Sequence, residues 1–134
     1  MSAIKIIRAL MVADAALAAL VPANRTVAGI PAQGMALPLI ALIEVSRTDR
    51  NLITGSATSQ STSRVQVTVM CKTYREQKEL LAAVRHAARS KVGTLSGVAN
   101  VAVHLDGTGP DFMTADPTIY QQAQDFMVSF TEAT

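Results

Sequence analysis

One thiol and two imidazoles, Cys71, His86 and His104, are the residue types from which a nucleophile and its general base are built. Their settings point away from that chemistry. Cys71 shares the parity of Val65, Val67 and Val69 in a strictly alternating run, which makes it a small buried hydrophobe. His86 lies in a helical stretch with no carboxylate four residues to either side, so it reads as a surface imidazole. Asp106, Asp111 and Asp116 offer oxygen ligands, but they lack the alternate-residue spacing of a calcium loop, and Asp is a common turn former. Gly107-Thr108-Gly109 has no third glycine and no following helix, so it makes no phosphate cradle. No catalytic residue, cofactor site or metal site is therefore expected.

What remains is the chemistry of contact. Arg75, Lys78, Arg85 and Arg89 fall close to one helical face with Ala82 between them. Such a stripe attracts phosphates without reading bases. It is also what an ordinary solvated face looks like opposite Leu80 and Val84, with Glu79 partly neutralising it, and the solvated face is the commoner outcome. A second candidate is the polar stretch from Arg47 to Thr62, where Arg47 and Arg50 flank Leu52 and Ile53. Two adjacent aliphatics are costly to leave in water, so these four residues read as a docking arm that buries on a neighbour, in preference to a plain surface loop.

The bulk numbers suit an assembling part. A chain of 134 residues is one domain and buries roughly two-thirds of its unfolded surface. Apolar residues make up 49% but aromatics only 4%, with no Trp, so the core must be close-packed Ala, Val, Leu and Ile. That hydrophobicity, with a mean hydropathy of +0.27, is high for a small monomer and favours burial between subunits. A net charge of +2 is too weak for a dedicated nucleic-acid grip. A lone cysteine excludes an internal disulfide and any multi-cysteine metal site, and fits a reducing compartment. The apolar run from Ala9 to Val21 ends in Val21-Pro22-Ala23, which resembles a signal-peptidase site. Asp14 interrupts it, and it is too short for a membrane span, so a helix of the mature fold is expected.

The elements that must position these residues follow from periodicity. Ile6, Leu10, Ala13, Leu17 and Leu20 predict one amphipathic helix from Ser2 to Leu20, stopped by Pro22. A short strand is expected at Thr26 to Gly29 and a longer one from Leu39 to Val45, apolar on both sides at its start. The 47–62 loop follows, then an alternating strand from Arg64 to Cys71. Thr73 and Glu76 stand at capping-box spacing, opening a helix from Tyr74 to about Ser90. Its buried stripe is Gln77, Leu80, Leu81, Val84, Ala87 and Ala88, and Gly93 is its expected terminator. Val98 to Leu105 is a strand, 106–117 a second loop, and Thr118 to Phe130 a closing strand with Phe126, Val128 and Phe130 inward. This order predicts an α+β fold, an antiparallel or mixed sheet of about four to five strands with two helices on one face. A single domain, 1–134, carries a projecting loop at about 47–62.

Several segments resemble the tail-completion family of long-tailed bacteriophages, also called tail terminator or tail-to-head joining proteins. They are Arg64-Val65-Gln66-Val67 leading into Lys72-Thr73-Tyr74, Gln33-Gly34 with Leu37-Pro38, Tyr120 followed by Gln124-Asp125-Phe126, and the Asp14 to Leu20 part of the opening helix. The resemblance implies a structural virion protein without catalysis, assembled in the bacterial host cytoplasm and sited at the tail–neck junction. It implies a ring, commonly of six subunits, that ends the tail tube and contacts the tail tube protein below and a head-completion or connector protein above. DNA would pass through its lumen without sequence-specific binding, and Arg75, Lys78, Arg85 and Arg89 would then be candidate lumen-facing residues. The alternatives are another neck or tail-tube component, or a small cytoplasmic enzyme or ligand-binding domain that dimerises through its sheet.

Overall fold

Val65, Val67, Val69 and Cys71 have no solvent exposure, while Arg64, Gln66, Thr68 and Met70 are half-buried on the other face. The period-2 pattern thus folds as a strand with one sealed side. The computed structural model describes residues 2–29, 36–51, 58–89, 91–95, 97–110, 112–114 and 119–133. Among them lie helices α1 (Ser2–Ala13) and α2 (Ala15–Leu20), strands β1 (Thr26–Ala28), β2 (Leu39–Asn51) and β3 (Thr58–Cys71), and helix α3 (Tyr74–Ala88). Strands β4 (Val92–Leu95), β5 (Val98–Thr108), β6 (Phe112–Thr114) and β7 (Ile119–Ala133) complete the described chain.

These seven strands form one sheet in the order β1-β2-β3-β7-β5-β4, with β6 pairing a further stretch of β7. β1 runs parallel to β2 and the remaining pairs are antiparallel, so the sheet is mixed. The α+β class holds. The expected four to five strands become seven, and the two helices become three. Periodicity missed β4 and β6 because strands of four and three residues are too short to show an alternation.

The core lies between the helices and one face of the sheet. Val65 pairs with Phe126 and Val67 with Gln124, so inward residues of the two central strands sit side by side. Phe126, Val128 and Phe130 are fully buried, as their alternation predicts. Helix α3 buries Gln77, Leu80, Leu81, Val84, Ala87 and Ala88, the expected stripe in full. Its cap is Thr73, whose hydroxyl accepts from the Glu76 N–H at 3.2 Å. The helix ends with Arg89 already extended, and Gly93 is no terminator: it lies in β4 at φ +118°, where the β4–β5 register shifts.

The single opening helix is also corrected. Asp14 leaves helical geometry, and its carboxylate accepts from the Leu17 N–H at 2.9 Å, ending α1 and capping α2. A short acidic side chain competes for nearby backbone donors, which is why it breaks a helix and starts another. The break resets the phase of the stripe. Ala3, Ile6, Ile7, Met11 and Leu17 are buried, while Leu20 is 44% exposed and Ala13 is exposed.

The stretch read as a polar loop at 47–62 is corrected too. Residues 47–51 continue β2 and residues 58–62 begin β3, paired from Arg47 with Ser63 through Asn51 with Ser59. Ser and Thr suit a pleated, half-buried ladder when aliphatics do not fill it. Of the candidate contact residues, Leu52 and Ile53 lie outside the described residues. The second loop, 106–117, likewise contains paired strand at its start and at Phe112–Thr114.

Candidate docking arm and basal pocket

β2 and β3 run on past β1, which pairs only with Ile40, Ala41 and Leu42. The extension is an arm with two different sides. On the helix side, Arg47 donates from Nε to Asp49 at 2.9 Å and from Nη2 to the Ser61 hydroxyl at 3.2 Å, and Ser61 donates to the same carboxylate. Hydrogen bonds from Ser61, then from Arg47, hold the Asp49 carboxyl below its ordinary range. The Arg47 guanidinium also lies over the Phe130 ring, 5.5 Å from its centre. Arg47, Asp49 and Ser61 thus satisfy one another on this side of the arm, while the buried Ser63 hydroxyl beside them has no partner among the described residues. The other side presents Thr48, Arg50, Gln60 and Thr62 around a shallow hollow of about 280 Å³. These are the cross-strand pairs Thr48–Thr62 and Arg50–Gln60. Arg50 is exposed. Arg47 and Arg50, joined in the sequence reading as one pair of contact residues, face opposite sides: one braces the arm and the other is presented outward.

At the opposite end of the same strands, where β2 begins and β3 ends, lies a pocket of about 330 Å³. Ala19 and Leu20 from α2, Pro38, Cys71, and Glu76, Glu79 and Leu80 from α3 line it. Its walls are aliphatic and its charged groups are the two glutamates. Burial, with a smaller contribution from Glu76, pushes the Cys71 thiol up to about 12. Such a thiol is protonated and unreactive at neutral pH. No local pattern foretold this pocket, since three separate elements meet to make it.

The remaining candidates do not converge. His104 pairs with Met127 and Cys71 with Tyr120, seven residues apart on β7, so roughly 23 Å separates them along the sheet, on opposite faces. His86 is exposed on α3, about 20 Å along the helix from the Thr73 cap. Among the described residues no group of three or more His, Cys, Asp or Glu is placed to hold a metal ion. On the α3 face, Arg75 pairs with Glu79 at 3.1 Å, and Lys78 donates to Gln122 at 2.8 Å while lying over the Tyr74 ring. Arg85 and Arg89 are exposed. Arg75, Lys78 and Arg85 lie in α3 and Arg89 follows its end in extended geometry, with Arg75 and Lys78 engaged within their own molecule.

Two buried glutamines escaped the sequence reading. Gln124 accepts from the Thr108 hydroxyl at 2.6 Å and donates to the Gly107 carbonyl, and Gln122 donates to the Gly109 carbonyl at 2.9 Å. Together they fix the exit of β5. Their parity with Phe126 was the signal available. On the outer face, Arg64 donates to Asp106 and sits 3.8 Å from Asp125, which ties β3 to β5 across β7.

The family described as tail completion protein gp17 matches residues 5–130 of the chain. Among solved structures, a chain from the virion of a native gene transfer agent particle superimposes with a TM-score of 0.76 at 19% identity. The match covers 96% of this chain and 94% of that one. No curated protein matches in sequence.

Proposed function

The chain belongs to the tail completion protein gp17 family, and from that premise we propose that it forms a ring, of six subunits, which ends the tail tube and joins it to the head. It is a structural tail protein of a bacteriophage-type virion. The family match over nearly the whole chain carries the reading. The fold supports it with a body too apolar for its size and a paired arm that extends beyond the helical layer.

In this reading the subunit performs no reaction. One face of the ring meets the tail tube protein and the other a head-completion or connector protein, at the tail–neck junction. Arg50, Leu52 and Ile53 reach a neighbouring subunit or ring, while Arg47 keeps the arm in shape. DNA passes through the lumen, and Arg85 and Arg89 with Arg75 and Lys78 are the cations that would line it without reading sequence. Assembly takes place in the host cytoplasm.

Electron microscopy of particles made with and without this chain tests the proposal. A six-fold ring at the neck, together with accumulation of separate heads and tails when the chain is missing, is the expected result. Normal joined particles lacking it would overturn the reading.

A further inference from the structure

Pro38 and Cys71 both line the basal pocket, and they sit at the root of the hairpin whose far end is the arm. β2 alone is 13 residues long, so at about 3.4 Å per residue the pocket and the arm end lie roughly 40 Å apart. An arm zipped into the sheet over that length cannot fold back into its own pocket. Any contact between the two features is therefore between copies.

Their chemistries match. The pocket offers an aliphatic wall of Leu20, Pro38 and Leu80, with Glu76 and Glu79 beside it. The arm end presents the exposed cation Arg50, and the chain continues from there to Leu52 and Ile53. We propose that the basal pocket of one subunit receives the arm end of a second copy, with Leu52 and Ile53 against Leu20, Pro38 and Leu80, and Arg50 at Glu76 and Glu79. The contact joins two different surfaces, so it can repeat head-to-tail around the proposed ring. Reciprocal exchange within a two-fold pair would instead stop a covalent ladder at the dimer and overturn the head-to-tail arrangement. This rests on the ring reading above and names the surfaces that make the ring.

Disulfide trapping tests the contact. In full-length chain with Cys71→Ser, one cysteine is placed in the pocket wall by Leu20→Cys and one on the arm by Ile53→Cys. Mild oxidation of the assembled protein is expected to give a covalent ladder up to ring size, and neither single-cysteine variant should do so. Rings that form without a ladder, or a bridge closed within one chain, would overturn the arm-in-pocket contact and leave the ring reading intact. A chain that stays monomeric at all concentrations would overturn both. A charge exchange gives an independent readout. Arg50→Glu and Glu79→Arg should each weaken assembly roughly fivefold, and the pair together should recover it. The Arg75–Glu79 pair lost in the second variant is too exposed to account for such an effect. Two single variants that assemble like the parent would also overturn the contact.

Discussion

The guanidinium of Arg47 stands over the ring of Phe130, 5.5 Å from its centre, while its nitrogens hold Asp49 and Ser61. One side chain thereby links β2 to β3 and to β7, the strand on the far side of β3. Phe130 is fully buried at this end of the sheet. Arg47, a candidate contact residue in the sequence reading, is thus engaged with its own sheet, and its removal should loosen the arm without unfolding the body.

Arg47→Ala is expected to speed amide hydrogen exchange at 47–51 and 59–63, with exchange in β7 at 122–128 unchanged. The carboxylate partner adds a pH dependence. Asp49 is held below its usual value of 3.8, so its contribution is fully present above that value and is lost as pH falls through the lower folded one. Arm exchange should therefore accelerate below about pH 4 in the parent, and Asp49→Asn should remove that acid step. Equal exchange in parent and Arg47→Ala would show that the strands need no brace.

Gln77 is completely buried on the sheet side of α3, and both polar atoms of its amide lack a partner among the described residues. A buried unsatisfied amide costs on the order of 1–3 kcal/mol. Gln77→Leu, close in volume, should raise stability by about 1–2 kcal/mol, read as an increase in denaturation midpoint at unchanged m-value. A lower midpoint would mean that the amide is satisfied in solution.

Arm length is separable from folding only at the tip. Ser59, Ser61 and Ser63 pair with β2 on one side and β7 on the other, so a deletion reaching them removes the middle strand of three. Replacing residues 52–58 by Asn-Gly, a two-residue hairpin turn between the paired Asn51 and Ser59, should leave circular dichroism and melting temperature near those of the parent. Assembly and attachment to tail tubes should be lost. Retained attachment would show that the tip makes no essential contact.

Cys71 provides a probe of the opposite end. With its thiol pushed up to about 12, the native chain should resist thiol reagents at pH 8 and react fully once unfolded. The native state keeps its proton while the unfolded thiol ionises near 9, so stability should fall as pH rises from about 9 towards about 12. Rapid labelling of folded protein at pH 8 would contradict the burial.

Alternation and helical spacing in the chain determined the sealed faces of β3 and β7, the whole buried stripe of α3 and its Thr73 cap, because each is a local period with local hydrogen bonds. The same alternation placed the Cys71 thiol in the core, since it shares the parity of Val65, Val67 and Val69. Tertiary structure alone decided that the Ser- and Thr-rich stretch is a paired arm, because polar residues carry no burial signal until a neighbouring strand supplies one. It alone set Arg47 inward and Arg50 outward. It alone gathered Leu20, Pro38, Cys71 and Leu80 into one pocket, for these residues are brought together by the packing of α2 and α3 over the root of the hairpin, which no stretch of sequence specifies by itself.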